Sequence, residues 1–552
     1  RVRRGSMIRL LDRKIRAIVF DVEAHENGGY LLTVKVTEGV RSRKHVAPGT
    51  RADWTDSDVR DFRYRRQRSQ TFVRREQPVL VYGELPAARP RMLAEGSLVD
   101  MVKRLRRANA TTDDPRAQAV LTKVLGEILQ EGEPLVVVPS PPGAGKTSLV
   151  EALAAAAVHT GMRVLVAAPR AEQTYDFVRR LLVDYQSMPI QALLALGREL
   201  PNDLRLAGVP NPRRARDLVP GPGVVVSTVD KLVDCAPDFG PNAFQLLIVD
   251  EAWQVTYGDL LAPLTVAGQI LVVGDAGQLR PLIRSDTHRF EVRSHRVHWP
   301  APEEFMRRHP HAPVVPLPAT RRLLQDTVDF VQPAFYPQLP FVSAVAPADR
   351  QLRAATAGSG SGVDRAIDSL LEGTTLVGLL LPSRSHAGVE YDSEVSRLAA
   401  RVAQRLLERR VQWVGKRTIA AADIGCVDPH RNSGTAIRRA LSEAGIGHEL
   451  MVSTPEIWQG LQRPIIVARY PIRPGRRQTI FDLEPGRVCV QLSRHQLGCI
   501  IVGRDGVRET LANHQHDVSA RAPEAVDSEF LGWRAHSELW SRLDSAKRLI
   551  RL

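Results

Sequence analysis

From Leu135 onward, short aliphatic runs alternate with longer segments whose apolar residues recur every three to four positions. That texture predicts parallel strands buried on both faces and joined by helices. The runs place strands at Leu135 to Val138, Val164 to Ala167, Val224 to Val226, Leu246 to Val249 and Ile270 to Val273. A second set follows at Leu376 to Leu381, Ile424 to Val427, Pro464 to Val467, Val488 to Gln491 and Cys499 to Val502. Two α/β units in tandem are the economical arrangement. Val395, Leu398, Val402 and Leu406 have helical spacing and predict an amphipathic helix over Glu394 to Arg410. Ala357 to Gly362 reads as a flexible surface insertion, and the stretch Pro300 to Pro318 as holding the junction between the units. Ahead of Leu135 the pattern differs. Ala17 to Phe20 and Tyr30 to Val34 flank Glu26-Asn27-Gly28-Gly29 as a hairpin, another strand is expected at Pro78 to Tyr82, and a basic helix near Leu98 to Arg107.

The length of 552 residues allows three or four domains at about 150 residues each, and 43% apolar with 25% charged residues is globular composition. No apolar run approaches the roughly 18 residues that a membrane helix needs, so no membrane association is expected. Arg1 to Met7 lacks the apolar stretch of a secretory leader. Cys235, Cys426, Cys489 and Cys499 show neither zinc nor disulfide spacing, which suits a reducing cytoplasm. Charge is unevenly spread. Residues 1–108 hold 25 basic and 13 acidic side chains and so carry +12 of the net +15. A polyanionic partner follows from that asymmetry. Within it, Arg63, Arg65 and Arg66 interleave with Tyr64 and its aromatic neighbours, a mixture that suits phosphates and stacked bases of a single strand, although a solvated basic face has the same composition. His288, His295, His298, His309 and His311 match no ligand spacing.

Chemistry is concentrated after three of the strands. Ser140-Pro-Pro-Gly143-Ala-Gly145-Lys146-Thr147-Ser148 follows the first and opens a helix. Glycines there let backbone N–H groups close on phosphate oxygens, Lys146 neutralises β and γ charge, and Thr147 suits Mg²⁺. Ser140 stands where the P-loop pattern has its first glycine. The strand Leu246 to Val249 ends in Asp250-Glu251, which places Asp250 toward the metal and Glu251 toward the attacking water as general base. Ile270 to Val273 is followed by Gly274-Asp275-Ala-Gly277-Gln278-Leu-Arg-Pro281, a third phosphate-site element in the expected order.

With these three in place the chain resembles superfamily 1 helicases, in particular branch B, the group of the nonsense-mediated-decay helicase, over about Gln118 to Arg504. The resemblance implies two tandem RecA-like P-loop NTPase domains with a small β-barrel-like domain in front. Residues 8–108 would be the basic accessory domain, 109–312 the first RecA-like domain, 313–515 the second, and 516–552 a helical tail packed on it. It further implies that Gln118 reads adenine, that Asp250 to Gln254 is the DEAxQ box, and that Gln278 senses the γ-phosphate. Leu317 to Arg322 resembles LxxQYR and makes Arg322 an arginine finger, with Thr320 and Arg321 in place of Gln and Tyr; a guanidinium plane can replace the aromatic stack. Phe335-Tyr336-Pro337 fits the aromatic segment that follows. Ile424 to Asn432 resembles IGxxTPYxxQ, with Asp428, His430 and Asn432 as departures. Val452 to Gly460 resembles the segment whose Gln459-Gly460 pair contacts nucleic acid and couples it to ATP, with Leu461 a departure. Val488 to Arg494 resembles VALTRA and makes Arg494 a second finger.

The activity so implied is ATP- and Mg²⁺-dependent translocation on single-stranded DNA or RNA, 5′ to 3′. Two alternatives stay open on the residues alone: ATP-driven remodelling of nucleoprotein complexes without unwinding, and a nucleotide-gated binding module that switches state without moving.

Overall fold

The computed structural model describes residues 115–195, 198–281, 296–384, 392–475, 478–514 and 528–552, together with the backbone of four short N-terminal strands. Those strands, β1 (Met7–Leu10), β2 (Ile15–Ala24), β3 (Tyr30–Glu38) and β4 (Ala52–Asp53), form one sheet in the order β3-β2-β1-β4. β2 and β3 pair antiparallel across the expected hairpin. The expectations for Pro78 to Tyr82, the helix near 98–107, Arg63, Tyr64, Arg65, Arg66, His288 and His295 lie outside the described residues.

The first lobe begins with helix α1 (Pro115–Leu129) and is built on six parallel strands. These are β5 (Leu135–Ser140), β6 (Arg163–Ala168), β7 (Ile190–Leu193), β8 (Gly223–Thr228), β9 (Phe244–Val249) and β10 (Ala267–Asp275), in the order β5-β10-β9-β6-β8-β7. Helix α2 (Lys146–His159) leaves the end of β5 and is buried along Leu149 to Ala157, which is why it is rich in alanine rather than amphipathic. Helix α3 (Ala171–Asp184) follows β6. The chain from Pro313 to Leu317 then runs beside β5: Val137 N donates to Pro313 O, Val315 N to Val137 O, and Leu317 N to Pro139 O. Val315 and Leu317 pack into the first lobe's core.

The second lobe contains helix α4 (Gln325–Phe335) and another six-stranded parallel sheet. Its strands are β11 (Leu376–Leu381), β12 (Ile424–Val427), β13 (Met451–Ser453), β14 (Arg463–Arg469), β15 (His495–Arg504) and β16 (Leu549–Arg551), in the order β13-β12-β14-β15-β11-β16. Val488 to Gln491 is not a strand but part of helix α5 (Pro485–Leu492). A buried β-branched run reads as a strand from composition, but Pro485 at the first turn and the Glu484 side chain accepting from Gly486 N start a helix there. β7, β13 and β16 escaped the pattern because they are only three or four residues long.

The amphipathic helix covers Ser393–Glu408 and buries Val395, Leu398, Val402 and Leu406. The AGSGSG stretch is exposed, yet it ends in a helix cap, with Ser361 Oγ accepting from Asp364 N. The tail helix α6 (Ser528–Ser545) packs Trp540 against Tyr470, ring centroids 5.0 Å apart, and leads into β16, which extends the sheet. Among the described residues no helix is long and apolar enough to cross a membrane.

Candidate nucleotide site

The loop after β5 carries the glycines in the conformation that phosphate binding needs. Gly143 (φ +72°) and Gly145 (φ +86°) are both left-handed, where a side chain is strained. At Gly143 a Cβ would also stand 2.4 Å from Arg322 Cβ, so the second lobe's arginine sits directly on the cradle. Ser140, the departure from the P-loop pattern, donates from Oγ to Gly274 O at 3.0 Å and ties the end of β5 to the end of β10. Thr320, another departure, donates from Oγ1 to Pro142 O at 2.6 Å, and Arg321 N donates to Gly143 O at 2.9 Å. The Thr320 side chain therefore supports the loop from outside, as the Arg321 backbone does.

Lys146 Nζ lies 3.0 Å from Glu251 Oε1. Burial pulls the lysine pKa down, but Glu251, Asp275 and Asp250 together outweigh it and leave it raised. Glu251 occupies the left-handed region (φ 53°), and Gln254 Nε2 donates to its Oε2 at 3.2 Å. Burial pushes the Glu251 carboxyl up, while Lys146 and Arg494 bring it to a net lowered pKa. Asp250 accepts from Glu251 N at 2.8 Å and is pushed up to about 6, first by burial and then by the adjacent Glu251 charge. A buried carboxylate so disfavoured in its charged form suits a cation, and a carboxylate with a threonine hydroxyl is the kind of oxygen donor set that Mg²⁺ takes.

Gln278, expected to sense the γ-phosphate, donates through Nε2 to Asp275 Oδ2. Asp275 also accepts from Gly277 N at 3.2 Å and from the Tyr336 hydroxyl at 2.6 Å. Tyr336 belongs to the second lobe, so this buried carboxylate joins the lobes. Burial leaves its pKa raised against the pull of Lys146. Asp275 stands in the Gly274 to Pro281 element, but local spacing gives it no role because its partner lies 61 positions away.

Both arginines from the second lobe face this group. Arg322 donates from Nε to Gln462 Oε1 at 3.0 Å and from Nη1 to Ser493 O at 3.1 Å. Its pKa is pushed down to about 9 by burial and then by the like charge of Arg494. Arg494 is 1% exposed, and its Nε and Nη2 have no hydrogen-bond partner. A buried guanidinium left so is costly unless an anion meets it. Gln118 lies in the first turn of α1, half-buried. Gly460 takes φ +81° at an exposed turn. Gln459 Oε1 accepts from Arg170 Nη2 of the first lobe at 2.7 Å, a link between the lobes that no motif announced. Thus Lys146, Asp250, Glu251, Gln278, Arg322 and Arg494 gather around the cradle.

Residues 118–312 match the family model of an AAA domain. No curated protein matches the chain. Among solved structures the chain is similar to arterivirus nonstructural protein 10, a helicase, at 15% identity and a TM-score of 0.34, covering 66% of this chain and 59% of that one. The PRRSV helicase is similar at 14% identity and a TM-score of 0.33, covering 71% and 56%. The arterivirus protein in complex with DNA gives 14% identity and a TM-score of 0.36, covering 68% and 62%. The chain thus spans less than two thirds of the length of each.

Proposed function

We propose that this chain is a superfamily 1, branch B helicase-type enzyme that hydrolyses ATP to move along single-stranded DNA or RNA in the 5′ to 3′ direction. The observation that carries this reading is the buried Arg494 guanidinium, whose Nε and Nη2 have no hydrogen-bond partner and which lies near Arg322 and Glu251 at the meeting of two lobes. A γ-phosphate would give Arg494 Nε and Nη2 the hydrogen-bonded anion that they lack, so nucleotide favours the closed arrangement and hydrolysis removes the reason for it. Thr147 and Asp250 would hold Mg²⁺, which supplies charge neutralisation on the phosphate oxygens when bound. Incoming phosphate competes with Glu251 for Lys146 and frees the carboxylate to take a proton from water. Gly143, Gly145 and Ser148 line the phosphates, and Gln278 reports their presence through Asp275 to Tyr336. On the polymer side Gln459 meets the strand, Gly460 gives the turn its freedom, and the basic residues Arg63 to Arg66 add affinity. The four cysteines are free and buried, as suits action in a reducing cytoplasm.

The test is phosphate release from ATP with and without single-stranded DNA or RNA, beside strand displacement on duplexes with 5′ or 3′ overhangs. Stimulation by a single strand and displacement from a 5′ overhang are expected. Lys146→Ala and Glu251→Gln should each lower turnover by about a hundredfold or more, since each removes a group acting in the transition state. Near-normal turnover in either variant removes the hydrolase reading. Hydrolysis indifferent to any polymer removes the translocase.

A further inference from the structure

Arg494 has little of its own to aim it. Its Nε and Nη2 make no hydrogen bond, so the direction of the guanidinium is set from the backbone, at the joint where α5 has ended and β15 begins. One side of that joint is held by Arg463 N, which donates to Arg494 O at 3.0 Å. The other side is held by the next residue, His495, whose buried ring bonds into the core of the second lobe.

A line of polar groups runs from that ring to the end of the chain. His495 Nε2 lies 2.9 Å from Thr327 Oγ1 in α4, and Thr327 Oγ1 lies 2.6 Å from Thr375 Oγ1, just before β11. Thr375 donates to Asp326 Oδ2 twice, from N at 2.7 Å and from Oγ1 at 2.9 Å. Asp326 Oδ1 accepts in turn from Arg548 Nη2 at 2.6 Å. Arg548 stands just before β16 and is itself tied down: its carbonyl accepts from Gly378 N at 2.8 Å, and its Nη1 donates to Thr374 Oγ1. Thr327, Thr375 and His495 are buried, so these groups must satisfy one another. The protons along the line can be counted. Three contacts, Asp326 to Thr375, Thr375 to Thr327 and Thr327 to His495, need three protons, and each hydroxyl has one. The Asp326 carboxylate, paired with Arg548, only accepts. Thr375 therefore spends its proton on Asp326, Thr327 spends its own on Thr375, and His495 must supply the third from Nε2. Burial first, and then the Arg322 charge, hold the ring's pKa down to about 3 against a lesser pull from the Leu492 backbone, so the ring is neutral and its one proton sits on Nε2. Nδ1 makes no hydrogen bond, as befits the lone-pair side of that tautomer. The line has a single direction, from His495 to Arg548, and it fixes the plane of the ring.

We propose that His495 and Arg548 are positioning residues for Arg494: the end of the chain holds Asp326, the two threonines pass that hold to the His495 ring, and the ring fixes the backbone from which the arginine reaches the γ-phosphate. The proposal rests on the nucleotide-hydrolase reading above. It gives the C-terminal strand a part in turnover that packing alone does not.

The test measures ATP turnover by the full chain with single-stranded DNA or RNA present. Beside it, equilibrium binding of ADP is measured with and without aluminium fluoride, which mimics the transferring phosphoryl group that Arg494 would meet. Thr327→Val keeps the shape and breaks the line. It should lower kcat by about ten- to a hundredfold, the cost of a small misplacement, with KM for ATP within about twofold. Its ADP affinity should hold, while the gain in affinity that fluoride brings should shrink by about tenfold. Thr327→Ser puts the hydroxyl back and should restore both. His495→Gln places an amide N–H about where Nε2 stands and His495→Asn about where Nδ1 stands, so the glutamine variant should turn over about tenfold faster than the asparagine variant. Arg548→Gln should show the Thr327→Val pattern more weakly, and Arg548→Lys should recover it. With Arg494→Met already present, Thr327→Val should cost nothing further, because it acts through the arginine. Normal kcat and a normal fluoride gain in Thr327→Val overturn the proposal. So do equal losses in His495→Gln and His495→Asn, a Thr327→Val loss that persists in full without Arg494, or a fall in ADP affinity that accompanies a fall in thermal midpoint. A wild-type chain that neither hydrolyses ATP nor gains affinity with fluoride removes the hydrolase reading, and the proposal with it, before any variant is made.

Discussion

The Tyr336 hydroxyl donates to Asp275 Oδ1 at 2.6 Å and so joins the second lobe to the strand end that carries Gln278 in the first. The same hydroxyl lies 3.2 Å from Cys489 Sγ, and all three groups are buried. A hydrogen bond to a buried carboxylate is worth about 1.5–3 kcal/mol. If the bond transmits phosphate occupancy from one lobe to the other, Tyr336→Phe should lower nucleic-acid-stimulated turnover by about tenfold or more while leaving secondary structure intact by circular dichroism. Unchanged turnover would show that the lobes communicate elsewhere.

The contact can be perturbed from its other side. A Cβ on Gly277 would stand 2.3 Å from Tyr336 Cζ, and the ring is held in place by its hydroxyl. Gly277→Ala should therefore push the lobes apart and lose at least as much activity as Tyr336→Phe. Because the obstruction is the ring itself, Tyr336→Ala should make room for the methyl. The double variant should then be no worse than Tyr336→Ala alone, a coupling that a double-mutant cycle on kcat measures directly. Additive losses would mean that the two residues act separately.

Much of the first lobe's part of the site was readable because the P-loop and the carboxylate pair sit at the ends of buried strands, where local spacing fixes what can meet. Lys146 and Glu251, expected on phosphate and on water, meet there as an ion pair that the motifs did not announce. The second lobe was less legible. Val488 to Gln491 read as a strand because burial on all sides hides the helical period, and only Pro485 and Glu484 mark the helix start. Ser140 and Thr320 read only as departures from their motifs, whereas Ser140 bonds to Gly274 O and Thr320 to Pro142 O, long-range bonds that no local pattern encodes. Asp275 with Tyr336, and Arg170 with Gln459, are pairs between lobes, and sequence spacing carries no signal for them.

Arg494 separates stability from catalysis. With Nε and Nη2 unbonded and only the through-space pull of Glu251 and Asp275 to offset burial, its charge is a cost to the nucleotide-free folded state. Arg494→Met keeps most of the volume and removes the charge, so the nucleotide-free protein should melt at the same temperature or higher. Loss of an arginine finger costs about 10³-fold or more in turnover. The expected pair of results is a thermal midpoint that does not fall and a kcat that collapses. A clear fall in both would make Arg494 a structural residue.

Glu151, in α2 behind the phosphate cradle, gives the fold a pH dependence of defined sign. Its side chain is 1% exposed, its Oε1 has no hydrogen-bond partner, and Arg180 Nε stands 3.8 Å away. Burial pushes the carboxyl up to about 7 against the lesser opposing pull of Arg180. The folded chain therefore holds the proton more tightly than the unfolded one, whose carboxyl titrates at its ordinary 4.5. Below pH 4.5 both states are protonated and the group is neutral to stability; as pH rises from there toward 7 the folded state loses ground. The span corresponds to an upper figure of about 3 kcal/mol. Glu151→Gln cannot ionise and should escape that loss. Denaturant melts of the two proteins should coincide near pH 4.5 and diverge by pH 8 in favour of the glutamine variant, and a variant less stable at pH 8 would show that the ion pair with Arg180 outweighs the burial of the charge.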